Sequence, residues 1–149
     1  MRRTSMAIAT LALMLGVPAL AGGDSWMTDF EAARKQAAEE EKPILIDFSG
    51  SDWCGWCIKL DKEVFSKKAF KSYAEENLVL FLADFPRQKE LPEETVEQNR
   101  KLAEQYGVRG FPTILLVDAE GEVLARTGYR RGGPDKYVEH LKKLIDQNT

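Results

Sequence analysis

Between residues 28 and 41 the apolar positions Phe30, Ala33, Ala37 and Ala38 recur at helical spacing, which predicts an amphipathic helix through about Glu41. Thr28 and Glu31 have the spacing of a capping box at its start. Pro43 stops it. Ile44–Phe48 follows as a short apolar run broken only by Asp47, the pattern of a buried strand. Ser49-Gly50-Ser51-Asp52 reads as a loop, and a helical period resumes from Cys54 through Ile58, Leu60 and Val64. Ser66 is placed to cap a further helix reaching Glu76, and Leu78–Leu82 is apolar and β-prone. A polar connection from Pro86 to Pro92 leads to a helix over Glu93–Gln105, with acidic residues in its first turn. Pro112–Val117 reads as a third strand, Asp118–Gly121 as a hairpin turn, and Glu122–Thr127 as a fourth strand at a sheet edge. Pro134 opens a last helix with Tyr137, Val138, Leu141, Leu144 and Ile145 on one face.

This order predicts an α/β fold, a central four-stranded mixed β-sheet flanked by helices on both faces. The first two strands are expected to be parallel and joined by a right-handed crossover. No repeat, low-complexity stretch or linker divides the chain, so residues 22–149 are expected to form one domain around one core.

Residues 1–21 have the pattern of a cleavable signal peptide. Arg2 and Arg3 precede a short apolar stretch, and Val17-Pro18 leads to the small-residue site Ala19-Leu20-Ala21. The apolar stretch is shorter than the roughly 20 residues that span a bilayer. The expected location is therefore periplasmic or secreted, with no stable membrane association after cleavage. Lys and Arg number 21 against 24 Asp and Glu, a formal net charge of −3, and the two signs are interspersed. Nothing in this pattern suits nucleic acid or an anionic lipid surface.

Only two cysteines are present, Cys54 and Cys57, at C-x-x-C spacing. An oxidising compartment permits a disulfide. A structural staple gains most by closing a long loop, and this loop is minimal. A zinc site lacks further cysteines, and His140 lies far along the chain. A covalent haem site needs His after the second Cys, where Ile58 stands. The pair instead sits where a buried strand gives way to a helix. Unpaired N–H groups and the helix dipole there favour a thiolate, the nucleophile of disulfide exchange. Cys54 is expected to be exposed and to attack, and Cys57, one turn in, to be partly covered and to resolve the mixed disulfide. Neither a metal nor a cofactor is called for beyond the Cys54–Cys57 disulfide.

Ile46-Asp47-Phe48, Trp53-Cys54-Gly55-Trp56-Cys57 and Gly110-Phe111-Pro112-Thr113 together resemble thioredoxin and the catalytic domains of protein disulfide isomerase. The resemblance covers most of the chain after residue 21 and implies a thioredoxin fold. It further implies a cis Pro112 lying against the active-site sulfurs, with Phe111 offering backbone hydrogen bonds to a substrate strand. Trp53, Gly55 and Trp56 are expected to form the rest of the substrate-binding rim. The chain departs from thioredoxin in four respects. Trp56 stands where thioredoxin has Pro and the isomerase His, and one extra residue precedes Cys54. Leu80 is assigned the place of a buried Lys, and the segment from Pro86 to Gln98 is longer. Trp26, the Ser-Gly-Ser-Asp lead-in and that longer segment are more similar to exported bacterial thioredoxin-like proteins.

The implied activity is thiol–disulfide exchange with protein thiols and disulfides, as a reductase supplied by a separate redox protein. An oxidase or isomerase is the alternative within the class, and a non-catalytic thiol-dependent binding module or chaperone the alternative outside it. Asp47 is the remaining candidate. A carboxylate in an apolar strand is costly to bury, and desolvation raises its pKa toward the range where it can exchange the proton of Cys57. Capping of the strand end or a bond to a loop amide is the structural alternative. His140 reads as a solvated helix residue, and Arg130-Arg131-Gly132-Gly133 as a solvated turn.

Overall fold

The computed structural model describes residues 25–149; the expected signal peptide lies outside the described residues. Five strands form one sheet in the order β1-β3-β2-β4-β5. They are β1 (Trp26–Met27), β2 (Ile44–Ser49), β3 (Val79–Asp84), β4 (Thr113–Val117) and β5 (Val123–Thr127). As expected, β2 and β3 are parallel, β4 runs antiparallel to β2, and β5 forms the edge beyond β4. The sheet has one strand more than the four expected. The two residues of β1, paired in parallel with Leu80 and Phe81, are too short to show a period.

All six residues of β2 are buried because both faces of the strand are covered. Ile44, Ile46 and Phe48 face α1 (Phe30–Glu40) and α4 (Glu93–Gln105), which contribute Phe30, Ala33, Ala37 and Leu102, joined by Tyr106 just past the end of α4. Leu45 turns to the opposite face, covered by α2 (Gly55–Leu60), its π-helical continuation Asp61–Phe65, α3 (Lys68–Asn77) and α5 (Gly133–Asn148). Strand alternation assigns Asp47 to this second face.

Local signals shifted by a residue or two from their expected places. Asp29, not Thr28, caps α1: its Oδ1 accepts the Ala32 N–H at 3.1 Å. Glu31 is engaged with Arg34 rather than reaching back to a cap. Ala38 is exposed, because its position falls off the stripe that Phe30, Ala33 and Ala37 bury. Ser66 does not cap α3; its hydroxyl donates to the Lys62 carbonyl at the end of the π-helical turn. Leu80, assigned the lysine place, lies opposite Leu45, and the residue beside Asp47 in the ladder is Leu82, two positions further along β3.

His140 is half-buried, not solvated. Its Nε2 lies 2.9 Å from the Thr127 hydroxyl, and burial holds its pKa below the usual histidine range. Tyr137 is buried among the second-face residues, and its hydroxyl donates to the Gly128 carbonyl at 2.9 Å. Burial, then the nearby Asp47 carboxyl, pushes its pKa up. This one bond ties α5 to the segment leaving β5. Tyr137→Phe is expected to cost about 1 kcal/mol through the lost hydrogen bond, and Tyr137→Ala about 3–5 kcal/mol through the cavity. Urea unfolding of the oxidised protein measures both.

Candidate active site

The loop between β2 and α2 is folded by its own backbone and anchored to β3. The Trp53 and Cys54 N–H groups both donate to the Gly50 carbonyl, at 3.2 and 2.8 Å. Ser51 donates its N–H (3.0 Å) and hydroxyl (2.6 Å) to the buried Asp84 carboxylate, which also pairs with Lys89 at 3.1 Å. Behind it, the buried Asn99 of α4 donates to the Asp84 carbonyl at 3.0 Å.

Cys54 stands at the N-cap of α2 in extended conformation, and its sulfur accepts the Cys57 N–H at 3.3 Å. Cys54 and Cys57 are joined by a disulfide, with Cα atoms 5.2 Å apart. The expected contrast in exposure is absent from this oxidised state: Cys54 is 7% exposed and Cys57 5%. In this bridged state the Cys54 sulfur both caps the helix and is covered.

Trp53 forms one wall of the rim. Its Nε1 donates to the Phe85 carbonyl at 2.7 Å, the Phe111 ring meets it edge-on at 5.9 Å, and the Arg87 guanidinium lies 3.7 Å above its centroid. A Cβ at Gly50 would stand 2.7 Å from Trp53 Nε1, so the indole requires glycine there. Phe85 stacks on Phe111 at 5.0 Å, which joins the segment after β3 to the cis-proline loop. The Phe111–Pro112 bond is cis, as the resemblance implies. Trp56, 53% exposed, forms the other wall against Tyr129, with centroids 5.0 Å apart. The Tyr129 hydroxyl donates to Glu63 at 2.6 Å, which holds the Glu63 carboxyl below its ordinary range and raises the phenol. Between the walls a Cβ at Gly55 would meet nothing within 4 Å, leaving the backbone open to an approaching chain.

Asp47 and Cys57 line the same open cleft, together with Ser49, Asp61 and Leu82. Asp47 is 8% exposed, and its Oδ1 is buried without a hydrogen-bond partner. No loop amide reaches this oxygen, so its environment favours the neutral acid. Burial, then the neighbouring Asp61 and Asp84 carboxyls, raises its pKa to about 8.

Several contributors were not legible in the sequence. Asp52 accepts the N–H groups of Arg87, Gln88 and Lys89 at 2.9, 2.8 and 3.1 Å, and these bonds hold its carboxyl below the ordinary range. Asp84, Phe85, Arg87 and Tyr129 likewise meet the site only through contacts far apart in sequence. Among the described residues no three His, Cys, Asp or Glu side chains group to hold a metal ion, and no helix is long and apolar enough to cross a membrane.

A bridged C-x-x-C pair at the strand-to-helix junction of a thioredoxin fold defines a protein disulfide oxidoreductase. The Thioredoxin-like domain model matches residues 30–145, and the chain belongs to that family. It is 38% identical over 128 residues to the Disulfide bond reductase DsbH of Chlamydia pneumoniae, covering 86% of this chain and 76% of that protein. The Thioredoxin-related protein DsbJ of the same organism is 29% identical, with 81% of this chain matching 37% of the longer relative. A solved DsbH oxidoreductase structure superposes with a TM-score of 0.79 at 36% identity, covering 93% of this chain and 95% of that one.

The two glycines of the site differ in what surrounds them. Gly50→Ala is expected to displace the Trp53 indole, shift its fluorescence and cost about 1–3 kcal/mol. Gly55→Ala, with open space before it, is expected to cost less than about 1 kcal/mol. Denaturant unfolding of both oxidised variants checks the contrast.

Proposed function

We propose that this chain is an exported reductase of protein disulfides. The observation that carries the reading is the Cys54–Cys57 pair at the head of α2, with Asp47 and Cys57 lining one cleft. The likeness to a protein named a disulfide bond reductase supports the direction, and the leader pattern of residues 1–21 supports export. No cation stands between the cysteines, where it would stabilise the reduced thiolate and make the pair more oxidising.

In the reduced protein the Cys54 thiolate attacks one sulfur of a client disulfide. The client S–S bond breaks, a Cys54–client bond forms, and the departing client thiolate takes a proton. Cys57 then loses its proton and attacks Cys54 Sγ, releasing the second client thiolate, which is protonated in turn. Two electrons and two protons pass to the client, and the protein is left with the Cys54–Cys57 disulfide. A separate dithiol protein, fed by a membrane transporter that hands electrons outward, reverses the change. The dithiol is the only redox group this cycle requires. Phe111 and Pro112, with Trp53, Gly55 and Trp56, form the surface that receives the client strand.

Asp47 is the acceptor for the Cys57 proton. A carboxylate whose conjugate acid has a pKa of about 8 is far more basic than an exposed aspartate, and it lies in a cleft through which that proton can leave.

Cys57→Ser is expected to accumulate mixed disulfides with client proteins, visible on non-reducing gels; a passive binding module gives none. The reduction potential is expected nearer the roughly −270 mV of thioredoxin than the roughly −120 mV of a strong oxidant, and a value at the oxidising end makes the protein an oxidase.

Asp47→Asn is expected to slow resolution of the mixed disulfide by about tenfold or more and to abolish the limb of its pH profile centred near pH 8. Equal rates and profiles would make Asp47 structural. Because the folded protein raises this pKa above its unfolded value, the associated stability is fully present below about pH 4 and is lost as pH rises through about 8. Thermal unfolding should therefore show Asp47→Asn gaining on wild type across that window, by on the order of 2 kcal/mol or more at its upper end.

A further inference from the structure

The cations around the two rim walls are matched differently. On the Trp56 side, Lys59 lies over the Trp56 and Tyr129 rings but pairs with Glu63 at 3.3 Å. Behind the Trp53 side, Lys89 pairs with Asp84. Arg87 is exposed, and among the described residues no carboxylate forms an ion pair with it. Asp52, the carboxylate that accepts the Arg87 N–H, is already committed. Both Asp52 oxygens are occupied by backbone N–H groups, that of Arg87 among them, and Gln88 Nε2 donates to the Asp52 carbonyl at 3.2 Å.

The same bonds fix the backbone that carries Arg87, and its guanidinium carbon lies 3.7 Å from the centroid of the indole of the residue preceding Cys54. A stacked guanidinium keeps its N–H edge free, and that edge matches a carboxylate in a two-point geometry. Holding it on the ring removes part of the entropy that an exposed arginine loses on pairing.

We infer that Arg87 is a specificity-determining residue that receives a carboxylate flanking the client cystine, so that clients with Asp or Glu beside the reacting cysteine are preferred. This rests on the reading of the chain as a disulfide reductase. The overall negative charge of the chain gives no hint of such a preference, since net charge says nothing of a single guanidinium fixed at the rim.

The test uses the reduced protein against three synthetic peptide disulfides of one backbone, with Asp, Ser or Lys beside the cysteine. Second-order rates are followed by tryptophan fluorescence. Reduction of the Ser peptide examines the reductase reading alone, and failure there overturns that reading. The inference is examined by the Asp-to-Lys rate ratio taken within each variant, so that a general loss of rate cancels. The wild-type ratio is expected to be about three- to fivefold at low salt, the upper range for an exposed ion pair. It should decline toward one as the Debye length contracts to about 3 Å near 1 M salt. Arg87→Met, which keeps a stem over the indole, should bring the ratio close to one, and Arg87→Glu should invert it. An inverted preference cannot arise from misfolding. If both variants keep the wild-type ratio, or if wild type shows none while reducing the Ser peptide, the inference is overturned.

Discussion

The Asp84 carboxylate holds the active-site loop independently of the bond the site makes and breaks. It receives two donors from Ser51 and the ammonium of Lys89, while the backbone carbonyl of the same residue is held by Asn99 from α4. Charge-assisted hydrogen bonds of this kind are about twice as strong as neutral ones. An active-site disulfide must open on every cycle, so it cannot also be what positions its own loop. Asp84 and Asp52 do that: one fixes the loop to the end of β3, the other fixes the segment after β3 to the loop. Trp53, Phe85 and Phe111 then form a continuous aromatic wall held by contacts other than the Cys54–Cys57 bond.

Asp47 shows the opposite use of a buried carboxyl. Asp84 is surrounded by donors, whereas Asp47 has a buried oxygen with none. Its neighbour in the ladder is Leu82, and the charged groups that act on it are two further carboxyls, Asp61 and Asp84. Each of these raises the affinity for a proton. The same strand-and-helix frame thus surrounds one carboxyl with donors and leaves another without them, by the choice of neighbours alone.

The architecture was legible in the sequence because its core strands and helices have long, unambiguous periods. The run Ile44–Phe48 could be read as a buried strand, and α4 was bounded as Glu93–Gln105. What failed was local. Thr28 and Asp29 both have capping chemistry, and the sequence does not say which enters the helix; Ser66 has the chemistry of a cap but answers a carbonyl behind it. The two-residue β1 left no period to find. At the site, the cysteines and the cis-proline loop were legible as motifs. The clamp from Asp52 to residues 87–89 was not, since it joins positions about 35 residues apart through backbone N–H groups that every residue type carries. The exposure of Cys54 was misjudged because the pattern describes a helix terminus, and here the Cys54 sulfur caps that terminus and is covered.

That covered disulfide has a consequence for traffic through the cycle. With both cysteines almost wholly shielded, the sulfurs leave little room for two partners at once. In the proposed cycle, the protein that restores the dithiol enters by the door through which the oxidised client is received. The two visitors cannot be present together, so turnover alternates between them in ping-pong order, and an abundant visitor of either kind delays the other. The doorway must therefore be permissive enough for two unrelated faces, and its discrimination is confined to whatever lies at its margin.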